Sequence, residues 1–214
     1  MNDWLSRQSF LGANSDEVLS RCRAGIIGLG GGGSHIAQQL AHLGVGDFVL
    51  FDPDYVEETN LNRLVGATKK DAARATPKTT VSRRLIKRIN RNAEVLQVPK
   101  EWQEEGRLVA DCDVVFGCVD TYIAREEIER VCRRFMIPFI DIGMDVKELS
   151  DGYLISGQMI LSMPDELCMR CLGFLSEELL TQEAGRYGAA GGRPQVVWPN
   201  GVWPRPPSEL LFSL

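Results

Sequence analysis

Between Gly28 and Gly33 the chain reads Gly-Leu-Gly-Gly-Gly-Gly, which sets Gly28, Gly30 and Gly33 in the spacing G-x-G-x-x-G, with Gly31 inside the same loop. Glycine suits such a corner for two reasons. A tight turn requires positive φ, and a phosphate can approach the backbone only where no Cβ stands in the way. Free N–H groups at the start of a following helix, with the helix dipole, then face the anion. Asp52 lies about 20 residues on, where a carboxylate can accept hydrogen bonds from ribose hydroxyls. Asp54, two residues later, reads equally as a ligand contact or a loop cap. A glycine corner alone also serves plain helix–sheet packing. With an acid at this distance it predicts a nucleotide site, but a nicotinamide dehydrogenase and an ATP-using enzyme would both want these residues.

Further polar residues lean toward ATP. Asn60, Arg63 and Lys78 follow Asp52, and Asp120 comes later in the chain. Two cations, an amide and carboxylates suit a triphosphate with Mg²⁺, because metal and Lys/Arg neutralise charge on a transferring phosphorus. Taken singly, Arg63 and Lys78 are also what solvated surface charges look like. Cys168-Met169-Arg170-Cys171 has the C-x-x-C spacing that lets two thiolates share one Zn²⁺. No cysteine or histidine follows Cys171, so later residues do not complete a four-ligand site. The favoured reading is an incomplete site; completion by an early cysteine or another chain, and a redox pair, are the alternatives.

These groups act together only if regular elements bring them together. Residues 24–28, 48–52, 94–98, 113–118 and 138–142 are short apolar runs that read as strands. Residues 33–43, 78–90 and 123–135 carry helical spacing, the second with Val81, Leu85, Ile86 and Ile89 on one face. Pro77 suits a first-turn position, and residues 107–112 read as a short helix or turn. The alternation predicts an α/β fold: a doubly wound, mainly parallel Rossmann-like sheet with helices on both faces. Residues 153–161 follow without a long intervening helix and predict an antiparallel addition. Ligands of such sheets sit beyond the carboxyl ends of the strands, so the glycine corner, Asp52 and Asp120 are expected to share one crevice.

The 214 residues suffice for one well-buried domain, or for one domain with a short appendage. The net charge of −5 argues against a dedicated nucleic-acid or membrane-surface binder. The basic run Arg74, Lys78, Arg83, Arg84, Lys87, Arg88 and Arg91 reads as a solvated helix face, since no aromatics interleave it. No apolar run approaches the roughly 18 to 20 residues of a spanning helix, and the N-terminus lacks a signal pattern. Cys22, Cys112, Cys118 and Cys132 sit in apolar or helical segments as small hydrophobes, without the spacing of a disulfide framework. A reducing cytoplasm is the expected location. His35 and His42 read as packing or surface residues.

The run GLGGGGSHIAQQLAHLGVGDFVLFDPDYVEETNLNR, the lysine of ATPKTTV, then GCVDT and CMRC resemble, in that order, the ubiquitin-activating-enzyme-like adenylyltransferases. The resemblance covers about residues 5 to 200. It implies that the glycine corner holds ATP, that Asp52 holds the ribose, and that Asn60, Arg63 and Lys78 contact or position the phosphates. Asp120 matches a Mg²⁺-associated aspartate, with Thr121 where many members have Asn. Arg7 matches an arginine that enters the partner subunit's site, adding donors to phosphate charge only in a homodimer. The implied reaction is attack of a carboxylate on the α-phosphorus of ATP, giving an acyl-adenylate and pyrophosphate. The implied substrate is the Gly-Gly tail of a small ubiquitin-like or sulfur-carrier protein.

Many such relatives carry a second C-x-x-C pair, which this chain lacks. Without a cysteine after Cys171, adenylation alone is expected rather than transfer to a catalytic thiol. The resemblance sets an ATP-binding domain over 1–200 and a Pro-rich tail over 201–214. Relatives continue past Trp198–Gly201 into further elements, so the ending reads as that of a shortened member, with sheet surface left open for dimerisation. The rival functions are an NAD-dependent oxidoreductase and an inactive scaffold that binds a ubiquitin-like partner.

Overall fold

A computed structural model describes residues 3–12 and 14–187. Among the described residues, six strands form one sheet: β1 (Arg23–Ile27), β2 (Asp47–Phe51), β3 (Glu94–Val98), β4 (Val114–Gly117), β5 (Phe139–Leu149) and β6 (Gly152–Ser162). Their order is β3-β2-β1-β4-β5-β6. Every pairing is parallel except β5 with β6, the expected antiparallel addition. The chain moves outward from β1 to β3 and then returns to the other side of β1 with β4. That reversal opens a crevice at the carboxyl ends of β1 and β4.

Side chains alternate across each strand, so β2 feeds two cores at once. Phe48 and Leu50 pack with Ile26, Ala37, Ala41, Ile86 and Phe116 on one face. Val49 and Phe51 pack with Val115, Val109, Ile128, Val131 and Phe139 on the other. The first face is covered by α2 (Gly31–Leu43) and α4 (Lys78–Ile89), the second by α5 (Gly106–Ala110) and α6 (Tyr122–Arg134). Three further helices, α1 (Ser15–Arg21), α3 (Lys69–Ala73) and α7 (Glu177–Tyr187), carry no apolar stripe strong enough to announce them in the sequence.

Two expected boundaries are corrected. Helix α2 begins at Gly31, two residues before the expected start, because the glycine run itself takes up the first turn. Strand β5 runs to Leu149, since residues 143–149 pair with β6 in a long hairpin. One face of that hairpin exposes Met144, Val146, Tyr153, Ile155 and Met159. The expected domain boundary at 200 and the tail over 201–214 lie outside the described residues.

The cysteine reading also fits. Burial pushes the Cys112 and Cys118 thiols up to about 12, as for small apolar side chains. Among the described residues, no helix is long and apolar enough to cross a membrane.

One buried polar contact joins the layers. Arg125 of α6 is ion-paired with Asp141 of β5, at 5% and 0% exposure. Burial pushes the Asp141 carboxyl up from its ordinary value, against the pull of the Arg125 guanidinium. Arg125→Met is expected to cost about 3–5 kcal/mol by leaving Asp141 buried and unpaired, and adding Asp141→Leu to recover most of that loss, both read by denaturant unfolding.

Candidate functional site

The crevice begins where β1 ends. The amide of Gly28 donates to Phe51 O at 2.9 Å, and the amide of Cys118 donates to Ile27 O at 2.8 Å. These bonds hold the exits of β1, β2 and β4 side by side. The glycines of the corner then divide by task. Gly28 has a φ of +86°, and a Cβ there would lie 2.5 Å from Cys118 O. A Cβ on Gly33 would lie 1.9 Å from Gly28 O. Both are needed simply to pack α2 against the strand ends. Gly30 is different: a Cβ there would meet nothing within 4 Å among the described residues. Packing therefore explains Gly28 and Gly33 but leaves Gly30 facing open space, as a ligand-cradling position would.

Gly30 is also the N-cap of α2, and glycine has no side chain with which to cap the first amides of the helix. Those N–H groups and the dipole are available to an anion. Ser34, directly after the glycine run, secures the turn. Its hydroxyl donates to Gly31 O at 3.0 Å and accepts from the Val65 amide at 3.0 Å. Sequence reasoning passed over this serine, although its place after the glycines was a signal.

Asp52 follows β2 and is 4% exposed. Its carboxylate accepts from the Leu29 amide at 2.6 Å and from the Asp54 amide at 2.9 Å. Burial pushes this carboxyl up from its ordinary value, opposed by those two amides and by the Lys78 ammonium. Lys78 Nζ stands 3.8 Å from Asp52 and 2.6 Å from the Asp54 carboxylate. Asp54 is thus neither a simple cap nor free: it holds the lysine over the buried acid. Lys78 is the first residue of α4, with Pro77 at the N-cap instead of in the first turn.

Asn60 and Arg63 lie in the loop between β2 and α3. The Asn60 side chain accepts from the Glu57 amide at 3.1 Å, so its oxygen closes a local 3-10 turn. The Arg63 guanidinium donates to Thr59 O at 2.7 Å and to Asn62 at 3.2 Å. Its Cδ would stand 3.5 Å from a Cβ on Gly31, which places this arginine beside the glycine corner. Asp120 is exposed in the turn between β4 and α6.

The structure therefore groups Gly28, Gly30, Gly31 and Gly33 with Arg63, Asp52 with Asp54 and Lys78, and sets Asp120 past the neighbouring strand. Arg7 belongs to the 3-10 helix Asp3–Leu11, and its side chain lies outside the described part. Cys168 and Cys171 occupy a turn between β6 and α7 with sulfurs 3.3 Å apart. Among the described residues, no group of three or more His, Cys, Asp or Glu side chains could hold a metal ion. Two thiols fall short of a tetrahedral zinc set. The same observation leaves room for Mg²⁺, which usually arrives on phosphates and takes only one or two carboxylates from a protein.

Comparison with known proteins matches residues 5–190 to the ThiF family. The sulfur carrier protein ThiS adenylyltransferase of Escherichia coli is 34% identical over 151 residues, covering 69% of this chain and 56% of that protein. The molybdopterin-synthase adenylyltransferase of Escherichia coli is 32% identical over 178 residues, covering 80% of this chain and 68% of that protein. The chain thus spans little more than half the length of the first of these relatives. Among solved structures, Escherichia coli MccB with AMPCPP and MccA superimposes with a TM-score of 0.59 at 26% identity, covering 68% of this chain and 46% of that one.

The glycines separate in a stability test. Gly33→Ala is expected to cost about 3 kcal/mol, or roughly 10 °C of melting temperature, by driving a Cβ into a backbone oxygen. Gly30→Ala is expected to change stability by less than about 1 kcal/mol, because nothing stands in its way.

Proposed function

The chain belongs to the ThiF family, and from that premise we propose that it adenylates a carboxylate with Mg²⁺-ATP, the carboxylate being the C-terminus of a ubiquitin-like or sulfur-carrier protein. The observation that carries this reading is the uncapped start of α2 at Gly30, open where its neighbours are packed, beside the Asp52–Lys78 pair. Backbone amides there suit a phosphate, and the Asp52 carboxylate suits a ribose. Family membership supports ATP over a nicotinamide, since the matched relatives are named as adenylyltransferases.

In this reading the residues work by placement and charge. Lys78, held by Asp54, lends positive charge to the phosphates, and Arg63 swings from its carbonyl partners to do the same. Asp120 would hold the magnesium that accompanies the triphosphate, and the metal would neutralise phosphate charge there. The carboxylate of the carrier attacks the α-phosphorus, and pyrophosphate leaves. No side chain has to shuttle a proton in that step, so electrostatic positioning accounts for the chemistry.

A tail ending in Gly-Gly is the proposed substrate, because a flexible end without side chains can thread to a backbone-lined crevice. Arg7 is proposed to reach the site of a second copy, making the active form a homodimer in a reducing cytoplasm. The Cys168–Cys171 pair brings half of a zinc set and has no part in the chemistry.

The test is isotope exchange between pyrophosphate and ATP, with a carrier protein ending in Gly-Gly. The wild type is expected to exchange, and Arg63→Ala with Asp120→Ala to lose at least about a hundredfold while still melting cooperatively. Exchange that survives the double substitution, or hydride transfer from a nicotinamide, refutes the reading.

A further inference from the structure

Helix α6 starts at Tyr122, two residues past Asp120, and the first N–H groups of a helix have no partner within it. Thr121 meets part of that need, its hydroxyl accepting from the Ala124 amide at 3.3 Å. The two amides ahead of it are met from far along the chain. Tyr122 N–H donates to Glu183 Oε1 at 2.9 Å, and Ile123 N–H donates to Glu183 Oε2 at 2.8 Å. Glu183 belongs to α7, is 8% exposed, and gives both carboxylate oxygens to the two residues that follow the Asp120–Thr121 turn. A carboxylate is favoured at a helix N-terminus by the dipole as well.

The other side of the turn is held too. Arg125 Nη2 donates to Val119 O at 2.8 Å, while the same guanidinium is ion-paired with Asp141. The backbone is therefore held at Val119 on one side and at Tyr122 and Ile123 on the other, with Asp120 exposed between these anchors. Helix α7 has its own anchors, since Arg170 is ion-paired both with Glu126 of α6 and with Glu177 of α7. Tyr122 and Phe174 rings meet edge to face at 5.8 Å.

We propose that Glu183 is a positioning residue that caps α6 from α7 and so holds Asp120 where magnesium-bound ATP meets it, an inference that rests on the role given to Asp120 above. A glutamate that only glued α7 to α6 would need no particular partner. Both oxygens of this one are spent on the two amides next to that turn.

The experiment titrates ATP calorimetrically into the full chain, with Mg²⁺ and then with EDTA, for the wild type, Glu183→Ala, Glu183→Gln and Asp120→Ala. Hydrogen exchange at the Tyr122 and Ile123 amides is followed in the same proteins. Mg²⁺ is expected to tighten ATP binding by the wild type. Glu183→Ala is expected to lose about tenfold of that gain, with metal-free ATP bound within about twofold of wild type and both amides exchanging faster. A structural role alone would weaken both forms of ATP alike. Glu183→Gln keeps the side chain's shape but accepts from only one of the two amides, so it shows part of the loss and carries the test if the alanine variant folds poorly. A magnesium gain that Asp120→Ala abolishes but both Glu183 variants retain, with their amides exchanging fast, overturns the Glu183 proposal alone. A wild type with no magnesium gain overturns the role of Asp120 and this proposal with it.

Discussion

The closeness of Gly28 to Gly33 and to Cys118 is the constraint on which the site depends. A Cβ on Gly33 would fall 1.9 Å from Gly28 O, and one on Gly28 would fall 2.5 Å from Cys118 O. Without side chains at these two positions, α2 can start directly against the exits of β1 and β4. That contact aims the first amides of α2 across the point where the sheet reverses its order. It also brings the Leu29 amide within 2.6 Å of the Asp52 carboxylate, which joins the glycine turn to the end of β2. Loosening the contact would cost the geometry of three strand exits together.

Charge is handled differently at the two ends of the crevice. On the β2 side a carboxylate is buried and kept company by two amides and a lysine, and that lysine is drawn off by the exposed Asp54. The result is a largely buried cation shared between two carboxylates, 2.6 Å from Asp54 and 3.8 Å from Asp52, with only the Asp54 side of the pair open to solvent. On the β4 side the charges that shape the turn are buried in α6, β5 and α7, as Arg125, Asp141 and Glu183, while Asp120 itself is exposed. Buried charge of this kind adds little to stability over an apolar pair, but it defines one arrangement of the backbone above it.

Helix α6 is the common frame of that second side. Its buried face includes Arg125, Glu126 and Glu129 beside Ile128, Val131 and Cys132. Glu129 accepts from the Met169 amide at 2.8 Å, and Arg133 donates to Met163 O at 2.7 Å. The segment from β6 to α7 is thus tied to α6 by charged groups, with Met169 and Leu175 supplying the apolar contact. The Cys168–Cys171 turn lies on this tether, which is reason enough for its ordered geometry without a metal.

The amino-acid sequence by itself determined the β-α alternation, the antiparallel addition, the glycine corner and the acid beyond β2. These are written in local sterics and in the period of apolar residues, both of which act over a few neighbours. It also placed Asp120 near a strand exit, because topology follows from the alternation once connections are right-handed. Only the tertiary structure decided which glycines are packed and which is open, that Asp54 holds Lys78, and that Asn60 spends its oxygen on its own turn. Glu183 and the Arg125–Asp141 pair were illegible as well. An Arg/Glu-rich helix reads as a solvated one until the partners, some of them 60 residues away, are brought up against it. Such pairings depend on where whole elements dock, and no local pattern carries that information.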